Sequence, residues 1–153
     1  MAGLISFEEA LERLAAAVVP LGSEQVPIAA AAGRVLAAPV HANLASPRVA
    51  VSAMDGYAVA DATTRAGDWL EVIGEARPGL PFGGKVGPGQ AVRLFTGAPV
   101  PSGADRVIVQ EHAGCDGNRV RFTPGYGPAW HVRAAGSDFA EGALLLEPGT
   151  LLT

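Results

Sequence analysis

Apolar residues first fall at helical spacing at Phe7, Ala10, Leu11, Leu14 and Val18, with Glu8, Glu12 and Arg13 elsewhere on the wheel. Ser6 followed by Glu9 has the form of a capping box, in which each side chain satisfies the other residue's backbone N–H. A helix is therefore expected to start there and to end at Pro20 and Gly22. Its apolar stripe is expected to pack first within its own domain and only second against a partner. Beyond it the pattern shortens. Residues 26–28 read as an extended piece, the alanines up to Gly33 as a turn or two of helix, and residues 35–40 as a strand. Polar and small residues around Pro47 read as a crossover, which places a domain boundary there.

Short β-favouring runs follow at 57–59, 69–73, 91–95, 106–110 and 119–122, separated by turn residues, and predict a small barrel or sandwich. Between the second and third of them, residues 77–89 carry three prolines and five glycines around Lys85 and read as a surface loop outside the regular core. Asp116-Gly117-Asn118 reads as a hairpin connection that leaves His112 and Cys115 near an exposed tip. After Trp130, His131 and Arg133 the chain crosses back through Gly136 to Asp138. A last apolar strand at 143–146 precedes the Pro148-Gly149 turn. The fold class is α+β.

Composition sharpens this picture. Twenty glycines and 12 prolines favour short strands and exclude a helix bundle. A net charge of -4 carries no electrostatic footprint for nucleic acid or an anionic membrane surface. The single cysteine, Cys115, excludes an internal disulfide framework and accords with a reducing compartment. It reads as an inert thiol, because zinc-type ligands come in fours with paired spacings. The N-terminus lacks a basic segment, Glu8, Glu9 and Glu12 interrupt any signal-peptide core, and no apolar run approaches the roughly 18 residues of a membrane span. A cytoplasmic location is expected.

Three stretches are candidates for chemistry. In Ser52-Ala53-Met54-Asp55-Gly56-Tyr57-Ala58-Val59 one acidic residue runs straight into a glycine, and Met54 and Tyr57 predict a packed loop that gives the carboxylate a fixed direction. A structural Asp-Gly turn is an equal reading of the same residues. In Thr96-Gly97-Ala98-Pro99-Val100-Pro101 a strand-end Thr-Gly pair would present its hydroxyl and N–H groups outward, with turn geometry alone as the alternative. Asp138 follows Ser137 and is open to an Asx or ST turn.

The first of these stretches resembles the Ser-Ala-Met-Asp-Gly-Tyr-Ala signature of the MoeA family, the molybdopterin molybdenumtransferases that include the E domain of gephyrin. The resemblance is repeated by the second, with Gly103-Ala104-Asp105, and by Val132-Arg133-Ala134-Ala135-Gly136-Ser137-Asp138 with Gly142. It runs through the whole chain but covers only the front part of a family member, so Thr153 is expected at a domain junction.

The resemblance implies an elongated mixed helix/strand domain, residues 1–47 and 135–153, into which a small β-barrel or β-sandwich, residues 48–134, is inserted. It implies that Asp55, Thr96 and Asp138 lie in an active-site cleft as catalytic residues, with Gly56, Gly97, Arg133 and Ser137 facing substrate. The substrates would be molybdate and adenylylated molybdopterin. AMP would be released, and molybdenum would stay on the pterin dithiolene. Carboxylates do not attract anions, so two aspartates there call for Mg2+, held by Asp55 and Asp138, or for a positioned water. Thr96 would hydrogen-bond a substrate oxygen. A homodimer is implied, as is a downstream adenylyltransferase-like domain or separate protein that completes the cleft. The alternative is a non-catalytic dimerisation or scaffold module, or half of a two-chain enzyme.

The chain also departs from the pattern. Ser137 stands where many members have glutamate, Arg133 is left as the main local cation, residues 46–51 lack an acidic residue before the first motif, and His131 replaces an asparagine and reads as structural.

Overall fold

A computed structural model describes residues 4–19 and 21–153. The chain divides into two compact units, Met1–Pro39 with Leu146–Thr153, and Val40–Leu145.

The first unit begins with α1 (Phe7–Ala17). Ser6 caps it by accepting the Glu9 N–H at 3.1 Å, but the reciprocal half of the capping box is not made. The Glu9 carboxylate instead takes Arg13 one turn on, at 2.6 Å, where unlike charges four residues apart face each other. The expected stop at Pro20 lies outside the described residues. No residue of α1 is buried, and Phe7, Leu11, Leu14 and Val18 are at least half exposed. The expectation that this stripe packs within its own domain is thus corrected. A short 3-10 turn, Ile28–Ala30, stands where one or two helical turns were expected.

The expected strand at 35–40 reduces here to one bridge, Val35 with Leu151, flanked by Gly33 N–H to Leu152 and Leu36 N–H to Thr150. An open groove of about 960 Å³ is lined by Leu21, Val26, Ile28, Val35 and the ion-paired Glu24 and Arg34. Nothing described in this unit is buried.

The second unit holds the core. It is entered and left through a two-stranded ribbon of β1 (Val40–His41) and β10 (Leu144–Leu146). A second ribbon pairs β2 (Val51–Ser52) antiparallel with β9 (Val132–Arg133). The remaining strands are β3 (Gly56–Val59), β4 (Trp69–Ala76), β5 (Gln90–Leu94), β6 (Arg106–Val109), β7 (Ala113–Asp116) and β8 (Arg119–Phe122). They form one sheet in the order β6-β3-β5-β4-β8-β7, curled into a half-barrel. All five expected runs are strands. Residues 113–116, of which Asp116 was expected in the hairpin connection, are a sixth, because Gly117 at φ 58 turns the chain in so short a space that β7 and β8 pair up to Asp116 and Arg119.

Both faces of this sheet are covered. Tyr57, Leu70, Ile108, Val120 and Phe122 pack on one side, and Ala58, Val86, Val92, Leu94 and Val107 on the other. β3 is buried at all four positions, which is why its sequence shows no alternation.

The glycine- and proline-rich stretch 77–89 explains one pairing. β4 and β5 run parallel, and a parallel pair needs a crossover of about a dozen residues. This segment is that crossover, made without a helix. Most of it is the exposed loop expected, but it is not wholly outside the core: Val86 is 2% exposed, and the Phe82 ring is wedged where a Cβ on Gly74 or Gly84 would sit. Pinning it on the far side, the loop before β6 brings Gly103 against the Val86 carbonyl. Arg106, nearly buried, ties down the segment before β9: it pairs with Asp61 at 2.7 Å, donates to the Gly127 carbonyl and lies over the Tyr126 ring.

Candidate active site

Asp55 sits in the turn between β2 and β3. Its backbone carbonyl accepts the Gln110 N–H at 3.0 Å. The next residue must be glycine, since a Cβ on Gly56 would run into the Ile108 carbonyl on β6. Upstream, the Ser52 hydroxyl donates to the Met54 carbonyl at 2.5 Å, and the Ala53 N–H reaches the His131 carbonyl at 2.9 Å. Of the two side chains expected to pack around the carboxylate, Tyr57 is buried and Met54 is 42% exposed. The backbone, rather than Met54, gives Asp55 its direction.

Thr96, just past the end of β5, delivers both its N–H and its hydroxyl to Oδ1 of Asp55, each at 2.7 Å. The first two motifs, 41 residues apart in sequence, meet on one oxygen. The Thr96 N–H, and after it the Thr96 hydroxyl, hold the Asp55 carboxyl below its ordinary value; burial opposes them and Arg93 adds a further pull downward. The Gly97 N–H goes to the Ser52 carbonyl at 2.8 Å. The Thr-Gly pair therefore does not present free N–H groups and a free hydroxyl proton outward, as the sequence predicts. All three are spent on the first motif.

Asp138 belongs to a second cluster. Its Oδ2 accepts the Ser46 hydroxyl at 3.1 Å, and its Oδ1 pairs with Arg133. Arg133 first and Ser46 second hold this carboxyl below its ordinary value. Ser137 closes a turn on the Ala134 carbonyl, and Gly136 bonds the Pro47 carbonyl, so this end of the chain is strapped to the crossover at 46–47. The clusters share a scaffold, because Val51 and Ser52 pair with Arg133 and Val132 in the β2–β9 ribbon. No hydrogen bond joins them among the described residues.

The donor set bears directly on a metal. Among the described residues no group of three or more His, Cys, Asp or Glu side chains is placed to hold one. Both oxygens of Asp138 are engaged, whereas Oδ2 of Asp55 accepts no hydrogen bond among the described residues. Mg2+ takes one or two carboxylates and completes its shell with water and substrate phosphate, so Asp55 fits such an ion through its free oxygen, and Asp138, each oxygen of which accepts one donor, keeps a lone pair on each. His112 and Cys115 do not form a pair: Cys115 Sγ lies 3.1 Å from the Tyr57 hydroxyl.

Arg93 escaped the sequence reading. It donates to the Gly56 carbonyl and to Gln110, on either side of Asp55. Its signal was available, as the only charge in the apolar run from Ala91 to Phe95, immediately before the Thr-Gly pair.

With this geometry in hand, the comparisons with known proteins are specific. Residues 5–153 match the family model described as MoeA N-terminal region (domain I and II), so the chain belongs to the MoeA family. It is 38% identical over 135 residues to a protein of Nostoc sp. named molybdopterin molybdenumtransferase, a match spanning 85% of this chain and 31% of that one. A Haemophilus influenzae protein of the same name is 33% identical, with 88% of this chain and 33% of that one covered. A crystal structure of the molybdopterin biosynthesis MoeA protein from Pyrococcus horikoshii superposes with a TM-score of 0.88 at 31% identity, over 99% of this chain and 41% of that one. The chain spans about a third of the length of these curated relatives.

Proposed function

We propose that this chain is the N-terminal part of a molybdopterin molybdenumtransferase acting in molybdenum cofactor biosynthesis. The reaction takes adenylylated molybdopterin and molybdate, releases AMP and leaves molybdenum on the pterin dithiolene. The observation that carries this reading is the meeting of Asp55 and Thr96, since the two residues that the motifs single out form one hydrogen-bonded unit. On this reading the strand-rich unit is the β domain inserted into the elongated one.

The roles follow from the bonding. Asp55 is held ionised, with one oxygen fixed by Thr96 and the other free to face substrate or a water. Thr96 has one hydroxyl proton and it is committed to Asp55, so toward substrate its oxygen acts as an acceptor, suited to a water or hydroxyl rather than to a bare phosphate oxygen. Gly56 and Gly97 let the backbone form this turn. Asp138, Arg133 and Ser137 form the opposite edge, where Arg133 is the group that meets substrate anions once released from Asp138. Mg2+ would be held by the free oxygen of Asp55, with Asp138 as a second ligand; when bound it would neutralise phosphate charge and polarise the phosphoanhydride.

The uncovered face of α1 favours a further part of the same reading, a homodimer, and a downstream adenylyltransferase-like domain or protein supplies the rest of the cleft. A cytoplasmic setting accords with one unpaired cysteine. The test is molybdate-dependent AMP release from adenylylated molybdopterin by residues 1–153, alone and with the downstream domains supplied separately. Activity is expected only in the mixture and is expected to vanish with Asp55→Asn. Full activity of that variant would remove Asp55 from the site, and activity of the chain alone would end the account of a shared cleft.

A further inference from the structure

The turn that carries Asp55 is braced by a single guanidinium. Arg93 Nη1 donates to the Gly56 carbonyl at 3.1 Å and Nη2 to Gln110 Oε1 at 2.5 Å. Gln110 is the residue whose N–H holds the Asp55 carbonyl. One planar fork therefore joins the carbonyl of the residue after Asp55 to the residue gripping the peptide oxygen of Asp55 itself. Lysine has no such fork.

Arg93 is in turn immobilised. Its guanidinium carbon lies 5.0 Å from the centroids of both the Tyr57 and Phe95 rings. Tyr57 follows Gly56 in sequence and sits opposite Arg93 in the β3–β5 register, and Phe95 directly precedes Thr96. A solvated surface arginine has no need of two rings and two acceptors, and most of the ion-paired arginines here have a carboxylate on a neighbouring loop or turn of helix. Arg93 pairs with no carboxylate among the described residues. Both of the donors described go to neutral oxygens around Asp55, and Glu75, which lies opposite Arg93 in the β4–β5 register, is ion-paired with Arg77 instead.

We propose that Arg93 is a positioning residue for Asp55: by bridging the Gly56 carbonyl and Gln110 it fixes the direction of the carboxylate, and its charge stands beside the anion. The proposal rests on Asp55 being the reactive carboxylate and goes further by naming the group that aims it. It also relocates the local positive charge. Arg133, the cation singled out from sequence, is ion-paired with Asp138, whereas Arg93 makes no ion pair among the described residues.

The experiment is a carbon-detected NMR titration of the Asp55 carboxyl in the 153-residue chain, with the Thr96 amide resonance as the reporter of the Asp55–Thr96 bond. Thr96 and Arg93 are the groups acting on this carboxyl, and of these Arg93 carries charge; the next charges out are Glu75, opposite Arg93 in the β4–β5 register, and its ion-pair partner Arg77, which lies over the Phe95 ring. Arg93→Gln is expected to raise the Asp55 midpoint and to move the Thr96 amide. Arg93→Lys should restore the midpoint while leaving the amide displaced, since it returns the charge without the fork. Gln110→Ala, which touches no core position, should displace the amide alone. If Arg93→Gln unfolds cooperatively like the parent and leaves both signals unmoved, the proposal is wrong. Should that variant fail to fold, an unmoved amide in Gln110→Ala is equally fatal. No substrate enters these measurements, so they stand apart from the functional reading. Shifted signals together with undiminished AMP release from Asp55→Asn would keep the brace and remove Asp55 from the reaction.

Discussion

The two units of this chain solve the problem of apolar surface in opposite ways. In Val40–Leu145 a short-stranded sheet is covered on both faces, and Val59, Val92, Leu94, Val107 and Val120 have no exposed surface. In the other unit not one described residue is buried, although Leu4, Phe7, Leu14, Val18, Leu21 and Ile28 are as apolar as anything in the core. The uncovered unit is the richer in apolar residues. What differs is closure: sheet strands find partners at long range and a crossover seals one face, whereas a lone amphipathic helix needs a second surface to bury its stripe. Apolar residues mark what must be covered, and only topology decides whether the chain itself covers it.

That contrast can be broken most directly in the core. Phe122→Ala should cost about 3–5 kcal/mol, read as a lowered urea midpoint, because its ring is 1% exposed and packs tilted against Tyr57 and edgewise against Tyr126. A loss no larger than that of an exposed site would mean that the sheet is not the seat of stability. In α1, Leu14→Glu should change the midpoint by no more than about 0.5 kcal/mol, while measurably weakening self-association in sedimentation equilibrium. A large loss of stability without any effect on association would show that the helix face is covered from within the chain.

The smallest effect concerns acid. Asp55 and Asp138, both in the strand-rich unit, have carboxyls held below their ordinary 3.8. Their contribution is complete above that value, where folded and unfolded forms are both ionised, and is lost as pH falls through the lower folded value. Stability should therefore decline below about pH 4, and Asp55→Asn with Asp138→Asn should flatten the decline, since asparagine keeps an acceptor but does not titrate. An unchanged acid profile in the double variant would show that these bonds carry no linked stability.

Much of the site was legible because it is written locally. The Asp-Gly and Thr-Gly pairs announce backbone that must turn or approach closely, and Gly56 against Ile108 bears this out. What stayed hidden was the direction of each donor. Nothing in Thr96-Gly97 says whether its N–H groups face solvent or a carboxylate 41 residues away, and the answer reverses the hydrogen-bonding role open to Thr96. Arg93 was hidden for the same reason, since its acceptors come from two other segments.

The sequence by itself determined the helix with its Ser6 cap, five strands, the turns between them and the three motif stretches, because capping, alternation and glycine chemistry act within a few residues. Only the tertiary structure decided that 77–89 is a crossover that contributes Val86 to the core, that β4 and β5 run parallel, that α1 is left uncovered, and that Asp55 is held by Thr96 and braced by Arg93. Those outcomes depend on which segments meet at long range, and a one-dimensional pattern of polar and apolar residues does not encode the partner of a hydrogen bond.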